Sequence, residues 1–167
     1  MKKTLFWLLG AALCLTACDE KGQGGTTGGE GGDDKPETEV TATVTYDMQG
    51  GADITTVLDI TASYTDADGK EVTVEVASLP WQAVITGAKV PFTADLKVEL
   101  SPKESFEEKE QYQMGLNTSI GYKTSDGQFV SNNNVSHITI SKDDITRYIT
   151  EKVLTKDYNK SVSITKK

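Results

Sequence analysis

The sequence predicts an all-β domain over residues 39–167: a two-sheet, immunoglobulin-like sandwich of seven or eight strands, with one short helix near residues 142–153. Three observations predict it. From Val40 onward, apolar residues alternate with polar ones at a period of two, the mark of strands buried on one face. Turn signals rich in Gly, Asp and Asn separate the alternating rows. The apolar fraction is only 37%, with much Thr and Ser, as a small half-wetted β domain requires. Strands with one apolar face each pack as two facing sheets, and a closed barrel is the alternative.

The rows run in order. Val40, Ala42, Val44 and Tyr46 form the first, alternating with Thr and Glu. Ile54, Leu58, Ile60, Ala62 and Tyr64 form the second, and Gln49-Gly50-Gly51 is expected to close this first pair. Val72, Val74 and Val76 form the third, behind Asp66-Ala67-Asp68-Gly69, which fits a hairpin with Gly at a positive-φ site. Trp81, Ala83 and Ile85 suggest a short fourth strand. The fifth, from Val90 through Phe92, Ala94, Leu96 and Val98 to Leu100, alternates almost perfectly. Tyr112, Met114, Leu116, Ile120 and Tyr122 form the sixth, Ile138 and Ile140 the seventh, and Val162 and Ile164 the last. Ser125-Asp126-Gly127 and Asn132-Asn133-Asn134 read as turns between the later strands.

Ser141 to Thr155 breaks the period. Ile145, Tyr148, Ile149 and Val153 fall at helical spacing, and Ser141 with Asp144 resembles a capping box in which Asp replaces the usual Glu or Gln. The charged stretch from Ser101 to Gln111, which contains Pro102, reads as a solvated crossover. Tyr112 follows it at a strand start, where sandwiches of this class often carry a tyrosine corner.

Val44-Thr45-Tyr46, then Tyr64-Thr65-Asp66-Ala67-Asp68-Gly69, then Leu79-Pro80-Trp81 occur in that order. Over roughly Val40 to Leu100 this pattern resembles the small β-sandwich domain of MmpS proteins, envelope accessories of lipid exporters. The resemblance implies a sandwich fold. MmpS domains follow a membrane helix, which this chain lacks, so it implies no exporter as partner.

The N-terminus has a different character. Met1-Lys2-Lys3 precedes an uncharged run from Leu5 to Ala17, and then comes Cys18. A basic start, a short apolar run and a small residue before the cut describe a secretory signal peptide over residues 1–17. The run is shorter than the ~20 residues that a spanning helix needs. Leu15-Thr16-Ala17-Cys18 resembles a bacterial lipobox. That resemblance implies cleavage between Ala17 and Cys18, and lipidation of the Cys18 thiol by a diacylglycerol. The only two cysteines are Cys14 and Cys18. The mature protein is then expected to have no disulfide, and losing Lys2 and Lys3 takes its charge from -8 to about -10.

Residues 19–38 contain seven glycines and six acidic residues and no large apolar side chain, the composition of a flexible spacer with a reach of roughly 25 Å. Asp19 and Glu20, directly after the cysteine, resemble the surface-export signal of Bacteroidetes-type lipoproteins. That implies the outer face of the outer membrane. In enterobacterial lipoproteins an Asp after the cysteine signals inner-membrane retention instead.

Few side chains offer chemistry. His137 is the single histidine and reads as a partly exposed strand residue, and one histidine without cysteine makes no typical zinc site or Cys-His pair. Asp66 and Asp68 are a fragment of a calcium loop that lacks the distal Glu, and a hairpin turn accounts for them better. Glu104, Glu107, Glu108 and Glu110 are expected to be a solvated charge run rather than a paired-carboxylate site. Trp81 is expected in the core, because Ala83 and Ile85 share its face, with an exposed platform for a sugar ring or peptide as the alternative. No catalytic residue, cofactor or metal site is expected.

A net charge of -8 disfavours nucleic acid, because phosphate contacts need a basic surface. The expected function is a non-catalytic envelope lipoprotein, held to a membrane by its lipid, that binds an envelope protein or glycan. The alternatives are a structural subunit of a surface assembly or a carboxylate-dependent hydrolase.

Overall fold

The structure, a computed structural model, describes residues 38–131 and 134–167. The expected leader, Cys18 and the tether as far as residue 37 lie outside the described residues, as do Asn132 and Asn133 of the Asn-rich loop. No helix among the described residues is long and apolar enough to cross a membrane.

The described chain forms ten strands: β1 (Thr41–Gly50), β2 (Leu58–Thr65), β3 (Glu71–Glu75), β4 (Trp81–Lys89), β5 (Phe92–Pro102), β6 (Gln111–Met114), β7 (Leu116–Thr124), β8 (Phe129–Val130), β9 (Ile138–Ser141) and β10 (Lys160–Ile164). They make two four-stranded antiparallel sheets, β4-β1-β7-β8 and β10-β5-β2-β3, and a ribbon of β6 with β9. The all-β sandwich is therefore the architecture of this domain. β1 pairs with β4 in one sheet while β2 pairs with β5 in the other. In the second sheet β10 lies at the edge, beside β5.

Two strands exceed the expected number. The sixth predicted row is cut in two at Gly115, whose φ of 134° no β-branched or bulky residue adopts easily, and Phe129–Val130 adds a short edge strand. The fourth strand runs nine residues, longer than its three apolar positions suggested.

Alternation dictates what is buried. Ala42, Val44, Tyr46 and Met48 of β1 face inward, against Leu58, Ile60 and Ala62 of β2 and Ala94 and Leu96 of β5 in one core cluster. Tyr46 is wholly enclosed, yet its hydroxyl donates to the Thr65 carbonyl at 2.7 Å. Burial pushes its pKa up to about 12.

The expected hairpin at Gln49-Gly50-Gly51 is corrected. β1 and β2 belong to different sheets, so the two glycines carry the chain across the end of the sandwich. A β-carbon on Gly51 would lie 2.2 Å from the Gln113 carbonyl oxygen, so only glycine fits this crossing. Ile54, expected in the second strand, instead sits in a single helical turn, α1 (Ile54–Val57), that buries Ile54 and Val57. Asp53 anchors the turn: one carboxylate oxygen accepts from the Gln113 N–H at 2.7 Å and the other from Lys109 Nζ at 2.6 Å.

Lys109 lies in the stretch read as a solvated crossover. That stretch is docked rather than free, among other places by Lys103, whose N–H donates to the Val57 carbonyl at 3.0 Å, by Lys109, and by Phe106, whose ring meets Tyr112 edge-on at 5.8 Å. The Tyr112 hydroxyl accepts from the Lys109 N–H at 2.9 Å and donates to the Glu107 carbonyl at 3.3 Å. This return to the upstream backbone has the geometry of a tyrosine corner.

The predicted helix starts three residues late. Ser141 ends β9, paired with Gln111, so it is not free to cap. The helical stretch is α2 (Ile145–Tyr148) followed by a π-helical turn (Ile149–Val153), closed by Leu154 N–H donating to the Ile149 carbonyl at 2.9 Å. Asp144 precedes it, but its carboxylate accepts from the Ser141 hydroxyl and from Arg147 rather than from a helix N–H. Ile145, Ile149 and Val153 are buried, as their spacing predicted.

Candidate functional site

The alternation that buries Val44, Tyr46 and Met48 turns Thr43, Thr45, Asp47 and Gln49 to the outer face of the β4-β1-β7-β8 sheet. Register supplies their neighbours. On β7, Lys123 lies opposite Thr43, Gly121 opposite Thr45, Ser119 opposite Asp47 and Asn117 opposite Gln49. On β4, Val84 lies opposite Thr45 and Gln82 opposite Asp47. Gly121, in the middle of this face, carries no side chain, and a β-carbon there would lie 3.1 Å from the Val130 carbonyl oxygen.

A trough of about 180 Å³ follows, floored by Thr43, Thr45, Asp47, Ser119 and Gly121 and walled by Gln82, Lys123, Phe129 and Ser131. A smaller hollow of about 100 Å³, lined by Asp47, Gln49, Asn117 and Ser119 among others, adjoins it. Asp47 belongs to both.

Asp47 is the chemically distinctive group. It is only 7% exposed although it lies on the outer face. Gln49 Nε2 donates to its Oδ1 at 2.9 Å. Its Oδ2 has no hydrogen-bond donor and no lysine or arginine partner among the described residues. No fully enclosed side-chain polar atom among them lacks a partner, so Oδ2 reaches the open trough. A buried carboxylate with one neutral amide partner retains acceptor capacity that a ligand donor can fill.

Phe129 stands at the rim, 71% exposed on the two-residue strand β8. The turn before it is fastened by Asp126, whose carboxylate accepts from the Thr124 hydroxyl and, at 2.9 Å, from the Lys167 N–H. Those hydrogen bonds hold the Asp126 carboxyl below the usual carboxylate range. Phe129 is thus presented by a braced support.

The residues singled out from sequence lie elsewhere. Trp81 is half-buried and inward, opposite Met48, with its ring 6.0 Å from Tyr64, which stacks in turn at 5.2 Å on Tyr46. It joins the core edge rather than the trough. Asp66 and Asp68 build the hairpin turn: Asp66 Oδ1 accepts from the N–H groups of Asp68 and Lys70 at 2.9 and 2.8 Å, and Gly69 has φ 81°. His137 is exposed just ahead of β9. Glu104, Glu107, Glu108 and Glu110 are all exposed, and Glu110 accepts from Lys142 at 2.8 Å. Among the described residues, no three His, Cys, Asp or Glu side chains converge as metal ligands do.

A larger depression, about 520 Å³, lies along the outer edge of β2. Lys103 there lies near Asp59 at 3.7 Å and donates to the Thr55 carbonyl at 2.9 Å, and the remaining charge, Glu75, is exposed to solvent. The trough over Asp47 differs in holding a carboxylate that is itself buried.

Sequence reasoning missed Asp47 and Phe129. Asp47 was visible only as a charged residue inside a Thr-rich outward row, and what buries it is the pair of flanking strands. In comparison with known proteins, the chain matches no family model and no curated relative.

Proposed function

We propose that this protein is a non-catalytic envelope lipoprotein, held to a membrane by lipid on Cys18, that displays the trough over Asp47 as a binding surface. The leader and the Leu15-Thr16-Ala17-Cys18 pattern support the anchor. Two or more acyl chains, at about 0.8 kcal/mol per buried methylene, make such an anchor stable. The acidic residues after Cys18 favour the outer membrane and its outer face. The Gly-rich spacer gives the domain freedom to meet a partner.

One observation carries the binding reading: Asp47 is buried at the floor of an open polar trough with its Oδ2 unsatisfied by the protein. A carboxylate oxygen that the protein leaves without a donor and open to the trough can accept from a ligand donor.

Two measurements test the two halves. Metabolic labelling with an alkyne palmitate should mark the wild-type protein and leave Cys18→Ala unmarked; equal labelling refutes the anchor. A photo-reactive phenylalanine analogue at position 129 should form an adduct with an envelope component in intact cells, whereas one at position 73, exposed on the opposite sheet, should not. Absence of an adduct at 129 contradicts the trough as a binding surface.

A further inference from the structure

We propose that the ligand of the trough is a neutral, polyhydroxylated glycan, lying along β1 and β7 with a sugar ring against Phe129; this rests on the reading of the trough as the binding surface. The functional groups of the face argue for that chemistry. Thr43, Thr45 and Ser119 carry hydroxyls, while Gln49, Gln82 and Asn117 carry amides. Each is both donor and acceptor, as a ligand of many hydroxyls requires. Asp47 adds one strong acceptor for a sugar hydroxyl.

Length fits as well. From Gln49 to Thr43 the outer row spans six residues, about 20 Å at the rise of a strand, enough for several linked rings. Phe129 supplies the apolar surface on which the C–H face of a ring can rest while its hydroxyls turn to the trough. Val84, 53% exposed and opposite Thr45 on β4, adds an apolar side chain to the same outer face beside the trough.

Other ligand classes fit less well. A hard cation takes six to eight oxygens with several carboxylates, and this trough has one. An anionic polymer meets Asp47 on the floor of the trough in a chain of net charge -8, with Lys123 as the single cation in the lining. A protein partner prefers a broad apolar centre with a polar rim, whereas here the centre is polar and the apolar residues stand at the rim. An extended peptide adds to a sheet at its edge, not on its face.

The test is electrophoresis of the full chain, in mild detergent, through native gels containing laminarin, mannan or xylan, with polygalacturonate and gelatin as anionic and peptide arms. At least one neutral polysaccharide should retard the wild type. Phe129→Ala, at an exposed position that leaves the fold intact, should weaken that retardation about tenfold. Asp47→Asn, which keeps shape but removes the charge, should weaken it to a similar degree. Glu75→Gln on the far sheet should bind as wild type does. Retardation by polygalacturonate or gelatin alone overturns the neutral glycan but not the trough, provided that Phe129→Ala abolishes it. Retardation by a neutral polysaccharide that neither Phe129→Ala nor Asp47→Asn alters overturns the trough as its site. Passage unretarded through every gel overturns the glycan, and the adduct at position 129 then decides the trough separately.

Discussion

Gly50 and Gly115 touch backbone to backbone: a β-carbon on Gly50 would lie 2.5 Å from the Gly115 carbonyl oxygen, and the Gly51 N–H donates to that same oxygen at 3.1 Å. This contact carries the chain from one sheet to the other. It places the end of β1, and with it Asp47 and Gln49, against the start of β7.

The closeness of that crossing makes glycine obligatory there. Gly51→Ala must displace the Gln113 backbone and should cost about 2–3 kcal/mol, as overpacking does. Gly69→Ala meets open space and carries only the penalty of a positive φ, about 1 kcal/mol. Urea unfolding of the two variants compares them; equal losses would contradict the account of the crossing.

Asp53 ties α1 to β6 and to the loop that holds Lys109. The Lys109 ammonium and the Gln113 N–H hold its carboxyl below the ordinary value of 3.8. A depressed carboxylate contributes stability that is complete above its unfolded-state pKa and is lost as pH falls through the folded-state value. Asp53→Ala should therefore cost about 2 kcal/mol at pH 7. The gap between variant and wild type should close in strong acid. Unfolding midpoints across pH 7 to pH 2 check both statements, and a gap that persists at the acid end refutes the role given to the charge.

Tyr46 behaves with the opposite sign. Burial raises its phenol to about 12, so its contribution is complete below pH 10 and declines as pH rises from 10 towards 12. Tyr46→Phe removes the bond to Thr65 and should cost about 1 kcal/mol at neutral pH. Ultraviolet titration of the folded protein should find two phenols, Tyr46 and Tyr158, ionising later than after unfolding, and only one of them in Tyr46→Phe.

Phe129 and Met48 separate surface from core. Phe129→Ala should change stability by less than about 0.5 kcal/mol, since its ring is mostly exposed. Met48→Ala opens a void where exposure is zero and should cost about 2–5 kcal/mol. Thermal unfolding orders the two; a large loss at Phe129 would make that ring a structural residue.

Period-two alternation carried most of the fold because each strand has one buried face. The rows beginning at Val40, Val72 and Val90, and the burial of Ile145, Ile149 and Val153, were legible for that reason. The hairpin expected at Gly50-Gly51 was not there, since glycine serves a tight turn and a close backbone approach equally, and only the tertiary partner distinguishes them. The helix start at Ser141 failed similarly: a capping pattern says nothing of a strand that claims its first residue. The site was the least legible part. Asp47 reads like any outward strand residue until β4 and β7 close around it, whereas Trp81 was legible as a core residue because Ala83 and Ile85 share its face.

Amide chemical shifts of the isotope-labelled full chain, followed in detergent as a neutral polysaccharide is added, test the trough most directly. The account predicts changes concentrated on Thr43–Gln49, on Asn117–Lys123 and around Phe129. Changes centred on β2, β3, β5 and β10 instead, or none anywhere, would contradict it.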